Sequence, residues 1–272
     1  MAKDNINLRE MISAEQAAGL DFAHAEAKVG IWLILKAISN SELKKNITVK
    51  GGVLMYFKTH NNRRATKDLD IDFIRYPIDN SAISKFVNAL NVLPGITFRQ
   101  IGEPEVLNQH DYHGKRVFLR ITDSAHNTLN TKIDIGVHTK LSISQDDSIF
   151  DAPCDTVAVY LLANPNEQIF TEKLLSLLKH GIFSTRYKDI FDMYYLIQDD
   201  TIDKTALKEC FDLFIFSDPE MRENNISDIL LRLTKIFSNT SYNRKIKSAR
   251  DKWIDGDVKE IESAIIAFLQ NI

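Results

Sequence analysis

In Lys67-Asp68-Leu69-Asp70-Ile71-Asp72-Phe73-Ile74, charged and apolar residues alternate from Asp68 to Phe73. A period of two predicts a β-strand, with Leu69, Ile71 and Phe73 on one face and Asp68, Asp70 and Asp72 on the other. Aspartate is disfavoured in strands. At the usual rise per residue, neighbours on one face stand about 7 Å apart. Ionised carboxylates that close repel one another unless a positive charge sits among them. A hard divalent cation such as Mg²⁺ is the obvious neutraliser, since it takes one or two carboxylates and completes its shell with water and substrate phosphates. Two such ions can clamp an in-line phosphoryl displacement. The competing explanation is a solvated edge strand whose charges block aggregation.

The sequence just upstream favours the phosphate reading. Ile47-Thr48-Val49 is a short β-type run that ends in Gly51-Gly52, sixteen residues before Asp68, and residues 53–59 read as a helix start. Paired glycines let the backbone approach a ligand, and the N-terminus of the following helix favours phosphate. Lys58, His60, Arg63, Arg64 and Lys67 fill the interval and can hold anions; a solvated basic loop would look the same.

Downstream, residues 81–90 predict a helix with Ser81 as N-cap. Residues 96–101, 117–122 and 131–137 predict strands, two of them joined as a hairpin around 123–127. Residues 11–43 read as two helical stretches. After Asp151-Ala152-Pro153 the β signal fades. Residues 167–180, 185–198, 204–214, 225–237 and 258–270 carry helical periodicity, with Gly181 a C-cap candidate and Ser184 an N-cap candidate. The expectation is therefore an α+β fold: a mixed sheet with flanking helices over residues 1–163, followed by an all-helical part over 164–272.

Lys50-Gly51-Gly52-Val53-Leu54, followed by Arg64-Ala65-Thr66-Lys67-Asp68-Leu69-Asp70, resembles the AbiEii-type toxin family, nucleotidyltransferase-like proteins with the polymerase-β-like fold. Val53 stands where that family more often has threonine. The helical half adds Glu172-Lys173-Leu174 and Arg186-Tyr187-Lys188-Asp189-Ile190-Phe191-Asp192, which resemble two further motifs of the family. The resemblance spans roughly residues 47–198.

It implies that Gly51 and Gly52 cradle a triphosphate with help from Arg64, Lys67 and Lys173, and that Asp68 and Asp70 bind Mg²⁺ or Mn²⁺. The overlapping pair Asp70 and Asp72 fits the same pattern, so Asp72 is a flanking candidate. It also implies a third carboxylate on a neighbouring strand. Asp134, in Lys132-Ile133-Asp134-Ile135, is the candidate, as metal ligand or as base for the incoming hydroxyl; a local hydrogen bond is the plain alternative. Lys173 and Asp189 form the family's second pair of functional positions, and a structural ion pair locking two helices is the competing role.

The 272 residues carry 34 basic and 37 acidic side chains, a net charge of −3, so the whole chain is no basic nucleic-acid coat. Only ten glycines occur, with no GxGxxG or GxxxxGK[ST] pattern, which argues against a dinucleotide-binding fold or a P-loop. Two distant cysteines exclude a zinc ribbon and a disulfide scaffold. No histidine pair has metal-ligand spacing. The N-terminus does not read as a secretory signal, and the longest apolar run, residues 157–163, is far shorter than a membrane span. A reduced, cytoplasmic protein with no membrane partner is the expectation.

From Arg232 to Lys252 the chain carries seven basic residues and one acid, a local charge of +6. Arg244, Lys245, Lys247 and Arg250 are candidate RNA contacts there, with Phe237, Tyr242 and Trp253 available for stacking. A solvated helix face is the alternative. Together these readings predict a metal-dependent nucleotidyltransferase that moves NMP from an NTP to an acceptor hydroxyl. By resemblance the acceptor is a tRNA 3′ end, the outcome is arrested translation, and a cognate antitoxin is a partner. Transfer to a protein hydroxyl, phosphotransfer, and a non-catalytic RNA-binding module are the alternatives.

Overall fold

The computed structural model describes residues 6–109, 112–151, 158–249 and 252–272. The chain divides into two compact units, Met1–Asn164 and Pro165–Ile272.

The first unit runs α1 (Leu8–Ala17), α2 (Phe22–Asn40), β1 (Ile47–Lys50), α3 (Gly51–Thr59), β2 (Leu69–Phe73), α4 (Asn80–Ala89), β3 (Ile96–Gln109), β4 (Tyr112–Asp123), β5 (Thr128–Val137), β6 (Asp146–Phe150) and β7 (Val159–Ala163). One seven-stranded sheet results, in the order β3-β4-β5-β2-β1-β7-β6. It is mixed: β2 runs parallel to β5 and β1 parallel to β7, and the other neighbours are antiparallel.

The alternation in the opening octapeptide sets the layers. Leu69, Ile71 and Phe73 are fully buried, and Phe86 of α4 meets Phe73 edge-to-face with ring centroids 5.3 Å apart. α2 is apolar almost all round, from Val29 to Ile38, as a buried helix requires, and it packs on β5 and β7. The opposite face carries the aspartates. Asp79, and not Ser81, caps α4: its carboxylate accepts from Ala82 N at 3.0 Å, so the helix begins at Asn80.

The β4–β5 hairpin closes with Asp123 N donating to Asn127 O at 3.0 Å. The Asp123 side chain accepts from the N–H groups of Ala125 and Asn127, which fixes the turn and with it the register of both strands. The edge strand β6 and its neighbour β7 were not anticipated; β7 lies inside the apolar run at 157–163, too short for its periodicity to be read.

The second unit contains α5 (Asn166–His180), α6 (Tyr187–Gln198), α7 (Lys204–Phe211) continuing into a π-helical stretch at Asp212–Phe216, α8 (Ile226–Phe237), α9 (Thr240–Lys247) and α10 (Val258–Gln270). Phe170, Leu174, Leu177 and Leu178 form the buried stripe of α5. Gly181 ends that helix with φ +53°. Ser184 does not cap α6. A one-turn 3-10 helix at Gly181–Phe183 intervenes, and the Ser184 hydroxyl accepts from Arg186 N at 3.3 Å. α9 went unforeseen because only Tyr242 and Ile246, one turn apart, give its apolar signal. Burial pushes the Cys210 thiol up to about 12, so it is a protonated core group. Among the described residues no helix is long and apolar enough to cross a membrane.

Candidate active site

β1 delivers Gly51 and Gly52 directly into the start of α3, and the side chain of the N-cap residue, Lys50, does not cap that helix. Its leading N–H groups lie at the positive end of the helix dipole. Gly51 has φ +70°, a conformation that an L-residue adopts at a cost of about 1–2 kcal/mol. A Cβ there would lie 2.9 Å from Asp70 Cγ and closer still to Oδ2. The Asp70 carboxylate thus rests against the bare backbone of Gly51. A Cβ on Gly52 would lie 3.1 Å from Thr66 Oγ1 and 3.4 Å from Arg64 Nη1. Gly51, Gly52, Arg64, Thr66 and Asp70 are gathered at one helix start, although Arg64 and Asp70 are far from the glycines in sequence. Arg64 is buried at 3% exposure, whereas Lys67 is exposed.

Gly51→Ala is expected to strain the backbone and push Asp70 aside. Displacing a reacting group by about 1 Å costs on the order of 10²-fold in rate. Steady-state transfer kinetics beside a thermal melt check this: activity should fall by about that factor while the chain still folds.

The sheet places the other carboxylates. Lys50 stands opposite Asp70 and Thr48 opposite Asp72 across β1–β2. On the other side, Asp134 of β5 stands beside Asp70 in parallel register. Asp68 lies one residue before β2 and pairs with Lys132 Nζ at 2.9 Å. Asp72, 4% exposed, pairs with Lys50 Nζ at 2.6 Å. Asp134 is gripped by Arg116, with Nε to Oδ1 at 2.8 Å and Nη2 to Oδ2 at 2.7 Å. The repulsion expected among the aspartates is thus offset by Lys132, Lys50 and Arg116. Hydrogen bonding to Asp134 raises the Arg116 pKa further and secures its charge.

The four carboxylates do not converge on one point: among the described residues no group of three or more His, Cys, Asp or Glu could hold a metal ion by itself. The donors do suit an ion that needs only one or two protein carboxylates and takes its remaining ligands from phosphate and water. Asp70, in register with Asp134 and two residues from Asp68, meets that description. Asp70 belongs to both overlapping pairs and is the one against Gly51.

In the second unit Lys173 pairs across α5 and α6 with Asp189 at 3.0 Å and with Asp192 at 2.6 Å. Arg186 closes on the other Asp189 oxygen at 2.8 Å. The indole N–H of Trp253 donates to Asp192 at 3.0 Å. Lys173 is 6% exposed, Asp189 5% and Asp192 not at all. The cluster balances two cations against two carboxylates.

Phe237, Tyr242 and Trp253 are all buried, so the stacking expected of them is corrected: they are core residues. Arg244, Lys245 and Lys247 are exposed on α9, while Arg250 lies outside the described residues.

Sequence reasoning missed Arg116. The signal was present, since seven residues back from Asp123 and seven forward from Asn127 are Arg116 and Asp134, opposed across the hairpin.

A mixed sheet with a Gly-Gly helix start against an aspartate strand is the arrangement that the resemblance to nucleotidyltransferase-like proteins implies, and comparisons with known proteins agree. One solved structure similar to this chain is an antigenic nucleotidyltransferase-like protein from Paracoccidioides brasiliensis, at 13% identity and a TM-score of 0.50, covering 88% of this chain and 92% of that one. Residues 33–263 match the family described as nucleotidyl transferase AbiEii toxin, type IV toxin–antitoxin system, and the chain belongs to that family. No curated protein matches the chain.

Proposed function

We propose that this chain transfers a nucleoside monophosphate from an NTP to the 3′ hydroxyl of a tRNA and thereby arrests translation in the cytoplasm. The observation that carries this reading is the Asp70 carboxylate lying against Gly51 at the start of α3. The N–H groups of Gly51 and Gly52 hold the triphosphate, with Arg64 and Lys67 adding positive charge. Mg²⁺ or Mn²⁺, held by Asp70 with Asp68 or Asp134, would supply charge neutralisation at the phosphates. The acceptor oxygen bonds to the α-phosphorus as the bond to the bridging α–β oxygen breaks. Pyrophosphate leaves, and the hydroxyl proton passes to Asp134. Arg244, Lys245 and Lys247 on α9 offer phosphate contacts for the acceptor, at the rim of a concavity lined by Thr240, Asn243, Arg244, Lys247 and Ser248. Lys173 and Asp189 are the second pair that the family resemblance assigns to the reaction. A cognate antitoxin is the partner that membership of the family implies.

The test incubates the purified chain with Mg²⁺, each α-labelled NTP and total tRNA. Label is expected on tRNA with one NTP or a small subset of them. Label on protein instead would move the acceptor to a protein hydroxyl. Label on neither would overturn the proposal.

A further inference from the structure

We infer that Arg116 is a positioning residue of the nucleotidyl-transfer site: it holds the Asp134 carboxylate beside Asp70 and acts on the reaction only through it. The inference rests on the function proposed above. Three observations carry it. The contact is bidentate, with both Asp134 oxygens engaged at 2.7 and 2.8 Å by the planar guanidinium fork. Such a pair fixes the plane of the carboxylate as well as its place, which one ammonium would not do.

Arg116 is directly opposite Asp134 on β4, and Asp134 is directly beside Asp70 on β2, so three adjacent strands bring the three residues into one row. That row is anchored by the hairpin turn at Asp123, which sets the register from outside the site. A carboxylate in mid-strand has a flexible terminal torsion. Left alone beside Asp70 it would also be repelled by its neighbour. Arg116 removes both difficulties. The guanidinium keeps its own charge throughout, so it can neither take nor give the proton that Asp134 handles.

This separates Arg116 from Lys132 and Lys50. Those two reach Asp68 and Asp72 through a compact ammonium. They neutralise charge without fixing a plane, and substitution there is not expected to disturb Asp134.

The experiment compares wild type, Arg116→Gln, Arg116→Lys, Asp134→Asn and the double variant Arg116→Gln/Asp134→Asn in the α-labelled NTP assay, each checked for an unchanged melting temperature. Removing a group that orients a reacting ligand typically costs about 10–100-fold. Arg116→Gln should lower kcat by that factor with KM for NTP within about twofold, because the Gly51–Gly52 cradle is untouched. Arg116→Lys should recover part of kcat. The double variant should be no slower than Asp134→Asn alone, since a residue that works only through Asp134 has nothing further to lose.

An independent readout is the Arg116 Nε–H resonance, expected to be sharp in the wild type and exchange-broadened in Asp134→Asn. A rise in KM with kcat unchanged would overturn the inference by making Arg116 a phosphate ligand. A double variant slower than either single one would overturn it as well. If wild type transfers nucleotide and Arg116→Gln is unaffected, only this inference falls. If wild type transfers nothing, the function reading falls and takes this inference with it.

Discussion

Asp70→Asn is expected to lower nucleotidyl transfer by about 10³-fold or more while leaving the chain folded. The substitution keeps the shape of the side chain resting against Gly51 and removes only its charge. Deleting one preorganised electrostatic contact costs about 10²–10³-fold, and deleting a group on which several others depend costs more. Asp70 is such a group, because Gly51, Lys50 and Asp134 are all arranged around it. Steady-state transfer assays and a circular dichroism spectrum check the prediction. A variant with near wild-type activity would remove Asp70 from the centre of the mechanism. The same substitution at Asp72 is expected to act far less on transfer, because that carboxylate is buried at 4% exposure against Lys50 and is not the one lying against Gly51.

Lys173→Met is expected to have the largest effect on stability. The substitution conserves length and loses the ammonium between Asp189 and Asp192. Breaking a buried ion pair by removing one partner typically costs about 3–5 kcal/mol, because a charge is left in low dielectric without its counter-ion. Arg186 still reaches Asp189, so Asp192, at 0% exposure, bears most of the loss. Chemical denaturation should show a lower midpoint for the helical unit. Lys173→Met/Asp192→Asn should recover much of it, since removing both charges leaves little to desolvate. Failure of the double variant to recover would mean that the loss lies in the hydrogen bonds of the Lys173 ammonium and not in the charge left on Asp192. Trp253 contributes to the same cluster through its indole N–H, a role opposite to the RNA stacking its position in a basic stretch had implied.

How much of this was readable follows from the range of each interaction. The period-two octapeptide gave β2, and the Gly-Gly junction gave β1 and the start of α3, because both signals are local and steric. Placing Asp134 on an apolar strand that could lie beside Asp70 was also within reach, since parallel neighbours of a buried strand must themselves be apolar.

The cation partners of the sheet aspartates were not read, because they depend on register, whereas the Lys173–Asp189 pair was read from the two helix motifs. Lys132 and Lys50 are near their carboxylates only once strands are aligned. Arg116 needed the hairpin turn to be fixed at Asp123 and Asn127 first. The aromatics at Phe237, Tyr242 and Trp253 were misjudged for a related reason. Interleaving with basic residues says nothing about which way a ring points, and the helix periodicity of α9, with Tyr242 and Ile246 on its inner face, would have turned Tyr242 inward. The caps show the same limit: Asp79 and Ser81 are both good N-cap residues, and only the backbone decides between them.

The central claim is that the site moves the α-phosphoryl group together with its nucleoside. Parallel incubations of the wild-type chain with α-labelled and γ-labelled NTP, tRNA and Mg²⁺ test it most directly. The account predicts label on tRNA from the α-labelled nucleotide, none from the γ-labelled one, and release of the γ-label as pyrophosphate. Transfer of the γ-label to tRNA, with the α-label remaining in nucleoside diphosphate, would contradict it.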